Sequence, residues 1–111
     1  MEELISQVRS FAKERGWEAY HNPKNLAMAL SVEVSELVEH FQWATCEESR
    51  SPDAKRLDEI KDEVGDIMIY LANLADKLGI DPVQAAKDKL VKAREKYPVS
   101  AARSLTWFRR S

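Results

Sequence analysis

The feature that most constrains the fold is a long apolar stripe in the second half of the chain. Between residues 52 and 78, apolar side chains recur every three or four positions, and no proline follows Pro52 until this segment has ended. The members of the stripe are Leu57, Ile60, Val64, Ile67, Met68, Leu71, Ala75 and Leu78. A helix with such a stripe buries it only by packing against other elements, so the pattern predicts a helical core.

Three further helical patterns accompany this one, and short clusters of helix-breaking residues separate them. They cover residues 2–15, a segment from 23 or 24 to 44, and residues 82–96. Asn22 and Asp81 precede prolines and are suited to cap helices, while Gly16 and Gly79 are suited to end them. The sequence therefore predicts an all-α chain of four helices. We expect one domain over residues 1–98 and a basic C-terminal tail, 99–111, that carries Trp107 and Phe108.

Composition narrows the class of protein. The chain has 111 residues, of which 32% are charged and 44% hydrophobic, with 3 Gly and 4 Pro, which is typical of a soluble helical domain. A net charge of -2 argues against binding to nucleic acid or to an anionic membrane. With no apolar run of membrane-spanning length and no signal-like start, we expect a cytoplasmic protein. Cys46 is the single cysteine, so an internal disulfide is excluded.

Carboxylates lie beside the apolar stripes of the second and third predicted helices. Glu33 and Glu36 are three residues apart on one helix, and Glu63 and Asp66 are three apart on the other. Residues at this spacing share a helix face. If the two helices pack antiparallel, the pairs face each other at mid-length. Like charges at that range raise one another's pKa, and a hard cation such as Mg²⁺ or Mn²⁺ would relieve the repulsion.

An ordinary solvated face is the alternative interpretation of the acids. It suits Asp58, Lys61 and Asp62, which a helical wheel places away from the stripe. It suits the two carboxylate pairs less well, because they border the packing side, with Glu59 as an outer member of the same ridge. From the pattern alone, a metal site and a solvated face both remain open.

The acids also belong to a longer motif. The motif begins with E-x-x-E in FAKERGWEAYHNPKNLAMALSVEVSELVEHFQW. After a spacer of 26 residues it continues with E-x-x-D in EIKDEVGDIMIYL, and KYPV follows later. This combination resembles the MazG-like nucleoside triphosphate pyrophosphohydrolases, and among them the animal dCTP pyrophosphatase subgroup. The resemblance implies a Mg²⁺-dependent enzyme, with Mn²⁺ as a substitute. Such an enzyme cleaves a (deoxy)nucleoside triphosphate between its α- and β-phosphates, releases a monophosphate and pyrophosphate, and cleans the nucleotide pool.

The resemblance assigns roles to particular residues. The metal-binding acids are Glu33, Glu36, Glu63 and Asp66. Glu36 and Glu63 are our catalytic candidates, and we expect Glu36 to orient the attacking water or to take its proton. The substrate-binding candidates are Trp17, His21, Asn25, Trp43, Tyr70, Lys89 and Arg94. The resemblance places Trp17, His21 and Trp43 in the nucleotide pocket, and His21, Asn25 and Tyr70 are candidates for polar contacts to base or sugar. Lys89 and Arg94 match basic positions of the family that could meet the triphosphate, and solvated surface charge is the alternative interpretation of both. We leave His40 out of the site, as an ordinary helix histidine.

Two positions depart from the pattern of the family. Many relatives have Asn where this chain has Ala93, and the animal subgroup has His where this chain has Val8. Base preference therefore does not follow from the resemblance alone.

The family forms dimers or dimers of dimers, and we expect the core of this chain to be completed in that way. Ile69 and Ala72 lie outside the main stripe of the third helix, which indicates a second buried face. A helical nucleotide-binding or partner-binding module without catalysis is the alternative function. A di-iron carboxylate bundle fits poorly, because it requires Glu-x-x-His pairs that this chain lacks.

Overall fold

Five α-helices form the protein in the computed structural model, which describes residues 1–97 and 99. They are α1 (Glu2–Glu14), α2 (Pro23–Glu39), α3 (Cys46–Ser49), α4 (Ala54–Lys77) and α5 (Pro82–Lys96), with a short 3₁₀ helix at Glu18–Tyr20. No strand occurs among the described residues, so the all-α prediction is confirmed. Apart from residue 99, the predicted tail, with Trp107 and Phe108, lies outside the described residues.

Side-chain caps and glycines define the ends of the long helices. Asn22 Oδ1 accepts a hydrogen bond from the backbone N–H of Asn25 at 2.9 Å, and Asp81 caps α5 in the same manner. Gly16 and Gly79 have φ values of 65° and 67°, in the left-handed region that favours glycine. These residues therefore start and stop the helices as the sequence predicts.

The connection between α2 and α4 differs from the prediction. α2 ends at Glu39 rather than Ala44, because the following backbone N–H groups of His40 and Phe41 bond to carbonyls only three residues back and form turns. The predicted loop also contains α3. Thr45 caps this helix, and Glu48 bonds back to the Thr45 backbone N–H at 2.9 Å, which completes a capping box.

The described chain divides into two compact units, Met1–Ile80 and a second unit that begins at Asp81 and contains α5. In the first unit, α4 packs against both α2 and α1. Arg9 on α1 binds Asp76 on α4 through two hydrogen bonds, one from Nε at 2.8 Å and one from the terminal nitrogen. The single domain predicted for residues 1–98 stays a prediction.

The core of the first unit is small. Its buried apolar residues are Val8, Ala12, Leu26, Ala72 and Ala75. Leu26 is the largest side chain that is fully buried in the described chain. α4 packs against both α2 and α1. Ala72 is 0% exposed, so the second buried face predicted on this helix is covered at least partly within one chain.

α2 and α4 run antiparallel. Arg56, at the start of α4, donates a hydrogen bond of 3.1 Å to the carbonyl of His40, just after the end of α2. At the other end of the pair, Asn73 lies 3.0 Å from His21, which precedes α2. This orientation brings the acids in the middle of the two helices face to face.

A row of apolar side chains along α4 and at Leu78, the residue directly after it, remains exposed. Leu57, Val64, Leu71 and Leu78 follow one another at seven-residue intervals and are 55%, 47%, 37% and 54% exposed. We call these four residues the α4 stripe. None of the described helices has the length and apolar character needed to cross a membrane.

Candidate metal and nucleotide site

Three carboxylates meet where α2 faces α4. One oxygen each of Glu33, Glu36 and Glu63 lies within 4.8 Å of the others, and no further group of three metal-ligating side chains at this spacing occurs among residues 1–97 and 99. The helical spacing brings Glu33 and Glu36 onto one side of α2, and the antiparallel packing places Glu63 opposite them. The structure thus brings together three of the four acids that the sequence singles out.

The surroundings of the cluster make its negative charge costly. Glu33 Oε2 and Glu63 Oε2 are buried, and neither has a hydrogen-bond partner. Burial, followed by the neighbouring Glu63 and Glu36, raises the pKa of Glu33 from 4.5 to about 7. Burial is also the largest cause that raises the pKa of Glu63. A bound cation would supply the charge that both oxygens lack.

Asp66, the fourth acid, lies at the edge of the cluster. It is exposed on α4, one turn beyond Glu63, and is outside the group of three. Its charge nevertheless contributes to raising the pKa of both Glu33 and Glu63. Asp66 is therefore close enough to act electrostatically on the cluster.

His40 and Glu59 flank the acids on the side towards α3. His40 Nδ1 lies 3.8 Å from Glu59 Oε2. His40 is four residues after Glu36, and Glu59 is four residues before Glu63, so both lie one helical turn beyond the cluster. Glu59, the predicted outer member of the ridge of acids on α4, therefore lies beside His40.

An aromatic group lies at the other end of α2. The ring centroids of Phe11 and Trp17 are 5.6 Å apart, and those of Trp17 and His21 are 6.2 Å apart, both edge to face. His21 Nδ1 lies 3.0 Å from the amide nitrogen of Asn73, which is only 6% exposed. Sequence reasoning missed Asn73, although an amide within the apolar run LANLA is a signal that could have found it.

Trp43 lies beyond the opposite end of α2 and is 89% exposed. It borders an open cavity of about 540 Å³ together with His40, Phe41, Pro52 and Arg56. α2 has 17 residues, which at 1.5 Å per residue is a length of about 25 Å. Within one chain, Trp43 is therefore separated from Trp17 and His21 by the whole helix.

The remaining substrate-binding candidates have varied surroundings. Asn25 uses its amide group to donate a hydrogen bond of 3.1 Å to the Tyr20 carbonyl, which holds the loop before α2. Tyr70 is half-buried on α4, one turn after Asp66. Lys89 and Arg94 are exposed on α5, in the second compact unit.

Comparison with known proteins identifies the family. The MazG-like family model matches residues 28–107, which is most of the chain. The chain belongs to the MazG-like family, as the motif predicts.

Individual relatives agree with that assignment. The chain is 39% identical to dCTP pyrophosphatase 1 of Mus musculus over 106 residues and 38% identical to that of Homo sapiens over 108 residues. These alignments cover 93% and 94% of this chain but 62% of each relative, so the chain spans less than two thirds of their length. A crystal structure of a pyrophosphatase from Archaeoglobus fulgidus DSM 4304 is 44% identical, with a TM-score of 0.83, and the match covers 88% of this chain and 92% of that one.

Proposed function

We propose that the protein is a Mg²⁺-dependent nucleoside triphosphate pyrophosphohydrolase. In this reaction water adds across the anhydride bond between the α- and β-phosphates, which yields a nucleoside monophosphate and pyrophosphate. The observation that carries the proposal is the cluster of Glu33, Glu36 and Glu63, whose oxygens lie within 4.8 Å of one another. The names of the relatives, which are pyrophosphatases, support the same reaction class.

The donor atoms fit Mg²⁺ or Mn²⁺. Carboxylate oxygens are the ligands that hard cations prefer, and the buried oxygens of Glu33 and Glu63 have no other partner. In this reading Glu33, Glu36, Glu63 and Asp66 hold the metal. A bound Mg²⁺ would neutralise triphosphate charge and lower the pKa of a water ligand.

Glu36 and Glu63 have different tasks in the proposed mechanism. Glu63 has one oxygen buried without a partner, which suits a ligand whose charge is committed to a cation. Glu36 is half-buried, and neither of its oxygens is both buried and unpartnered. This leaves Glu36 able to accept a hydrogen bond from the attacking water and to orient it.

The names of the relatives support a deoxycytidine nucleotide as the substrate. The mouse and human proteins are named dCTP pyrophosphatase 1. Trp17, which meets the His21 ring edge to face, offers an aromatic face of the kind on which a base stacks, at about 1–3 kcal/mol per base. Removal of surplus or modified nucleotides would follow as the cellular task. A cytoplasmic location stays a prediction.

We further propose that the base pocket is completed between two copies of the chain. Trp17 and His21 lie at one end of α2 and Trp43 at the other, about 25 Å apart along the helix. A nucleobase spans much less than that, so these residues meet around one base only if a second copy supplies one end. The resemblance of the chain to a dimeric family points the same way.

The α4 stripe supports assembly independently of the site. Its four apolar side chains recur every seven residues, which is the spacing of helices that pair along their length. The core of the monomer is small, with Leu26 as its largest fully buried side chain. Burial of the α4 stripe between two copies would therefore add apolar contact area and stabilise the fold. A dimer or a dimer of dimers follows.

The test of the proposed function is a panel of nucleoside triphosphates with analysis of the products. Monophosphate with pyrophosphate, formed only in the presence of Mg²⁺ or Mn²⁺, is the expected result, with dCTP among the best substrates. Diphosphate with orthophosphate would contradict the cleavage position. Nucleotide binding without turnover would instead favour a non-catalytic binding module.

A further inference from the structure

The hydrogen bond between Asn73 and His21 depends on which nitrogen of the histidine ring carries the proton. The Asn73 amide nitrogen, Nδ2, lies 3.0 Å from His21 Nδ1. An amide NH₂ group donates hydrogen bonds and accepts none, so Nδ1 must be the acceptor in this pair. A neutral imidazole has one N–H, and here it must therefore be on Nε2.

Asn73 is placed to impose this choice. Asn73 is 6% exposed on α4, while His21 is half-buried at the end of the loop before α2. The ring also meets Trp17 edge to face at 6.2 Å, so two neighbours restrict its orientation. The two nitrogens of an imidazole ring point in diverging directions, so a proton on Nε2 is directed away from Asn73.

We infer that Asn73 is a positioning residue that holds His21 with Nδ1 as acceptor and Nε2–H as a donor directed at the nucleoside. The inference rests on the proposed function, since His21 contacts substrate only in that reading. The atom that meets Nε2–H must be an acceptor, such as a base carbonyl oxygen or an unprotonated ring nitrogen. It follows that His21 does not read the exocyclic amino group of cytosine, which donates, so another residue must select that group.

The direct test is nuclear magnetic resonance of the protein labelled with ¹⁵N. The chain has 2 histidines, so His40 serves as an internal reference for His21. At about pH 9, where imidazole rings are neutral, we expect His21 to show a protonated Nε2 and an unprotonated Nδ1. A proton on Nδ1 instead would overturn the inference without any use of activity.

Asn73→Asp tests the functional consequence. The carboxylate keeps the shape of the amide but can only accept, so it favours the other tautomer and removes the donor at Nε2. At about pH 9 we expect the Kd for an α,β-imido analogue of dCTP with Mg²⁺, and the KM for dCTP, to rise about tenfold. We expect kcat to stay within about threefold, because the acid cluster is untouched. The His40 resonances should not move.

Two outcomes would overturn the positioning role. One is a reversed tautomer in Asn73→Asp with unchanged Kd. The other, which needs no variant, is a His21 Nε2–H signal in the wild-type protein that does not respond to the dCTP analogue. Failure of the proposed function has a different signature, namely no hydrolysis of dCTP, because the tautomer and the binding of the analogue are both measured without turnover.

Discussion

Glu33 combines two properties that a solvated acid does not have. One of its oxygens is buried without a hydrogen-bond partner, and its pKa is raised to about 7 by burial, Glu63 and Glu36. The sequence predicts the side of the helix on which Glu33 lies, because helical spacing fixes it. The sequence does not reveal Asn73, because the role of this residue depends on a contact with His21, which lies far away along the chain.

The Glu36→Gln variant tests the catalytic assignment. The amide cannot take a proton from water or bind Mg²⁺ as a carboxylate does, so we expect kcat for dCTP hydrolysis to fall by at least ~100-fold. Circular dichroism should show unchanged helicity. The control is Glu39→Gln, an exposed acid on the same helix, which should retain activity. Comparable turnover of Glu36→Gln and the wild type would refute the assignment.

The metal-free protein should become less stable as the pH rises through the range in which Glu33 titrates. The pKa of Glu33 is raised from 4.5 to about 7, so between these values the folded protein keeps a proton that the unfolded chain has released. The free energy of unfolding measured in EDTA should therefore fall from about pH 4.5 to about pH 7. Urea titrations at several pH values measure this trend.

Glu33→Gln provides the matched comparison for that trend. The amide removes a charge from the cluster, so at pH 8 in EDTA we expect Tm to rise by about 2–5 °C. We expect Mg²⁺ to raise the Tm of the wild-type protein and to raise that of Glu33→Gln much less. A lower Tm in EDTA would mean that repulsion among the acids is not a significant cost of the fold.

At the scale of helices, most of the architecture could be predicted from the residues that cap and end helices. Asn22, Asp81, Gly16 and Gly79 mark helix ends, and the structure uses all four as such. The end of α2 could not be predicted, because the apolar spacing continues through Phe41 while the backbone already turns after Glu39. α3 was missed although its capping box, with Glu48 three residues after Thr45, is visible in the sequence.

α1 is tied to α4 by the ion pair of Arg9 and Asp76, and this pair should contribute to stability. The Asp76 side chain is only 13% exposed, and Arg9 lowers its pKa below the ordinary value of 3.8. We expect Asp76→Asn to lower Tm by about 2–4 °C at pH 7. An acid whose pKa is lower in the folded state stabilises above its unfolded pKa, so the difference should shrink as the pH falls below about 4.

The pair of Arg50 and Glu47 offers a control for that measurement. It has a short N–O distance of 2.7 Å, but its side chains are 69% and 88% exposed. Glu47→Gln should therefore leave Tm nearly unchanged. An equal loss of Tm in both variants would show that general surface charge, rather than the bidentate contact with α1, is responsible.

At the scale of the whole molecule, the exposed apolar residues outnumber the buried ones among those that the structure describes. This balance supports the proposed assembly of two copies. The sequence already indicates assembly through Ile69, which is 42% exposed, whereas Ala72 is buried within the chain. The sequence alone could not show which apolar residues face a partner, because the helical spacing of apolar residues is the same for packing within one chain and between two.

Leu71→Lys tests whether the α4 stripe is the surface that joins two copies. A charge in an apolar interface is costly, so we expect analytical ultracentrifugation at micromolar concentration to show monomers in place of dimers. Met28→Lys places the same charge on an exposed position of α2, outside the α4 stripe, and should leave the dimer intact. Dimers of undiminished stability in Leu71→Lys would place the interface elsewhere.

The length of α2 has a consequence for mixtures of variants. If the two ends of α2 serve different pockets, a dimer of Trp17→Ala chains has two defective pockets, and so has a dimer of Trp43→Ala chains. In a mixed dimer, both substitutions fall in the same pocket, and the second pocket is unaltered. Two inactive proteins unfolded and refolded together should then recover about a quarter of wild-type activity, because about half of the dimers are mixed. The spacing set by a single helix would thus be visible as complementation between defective chains.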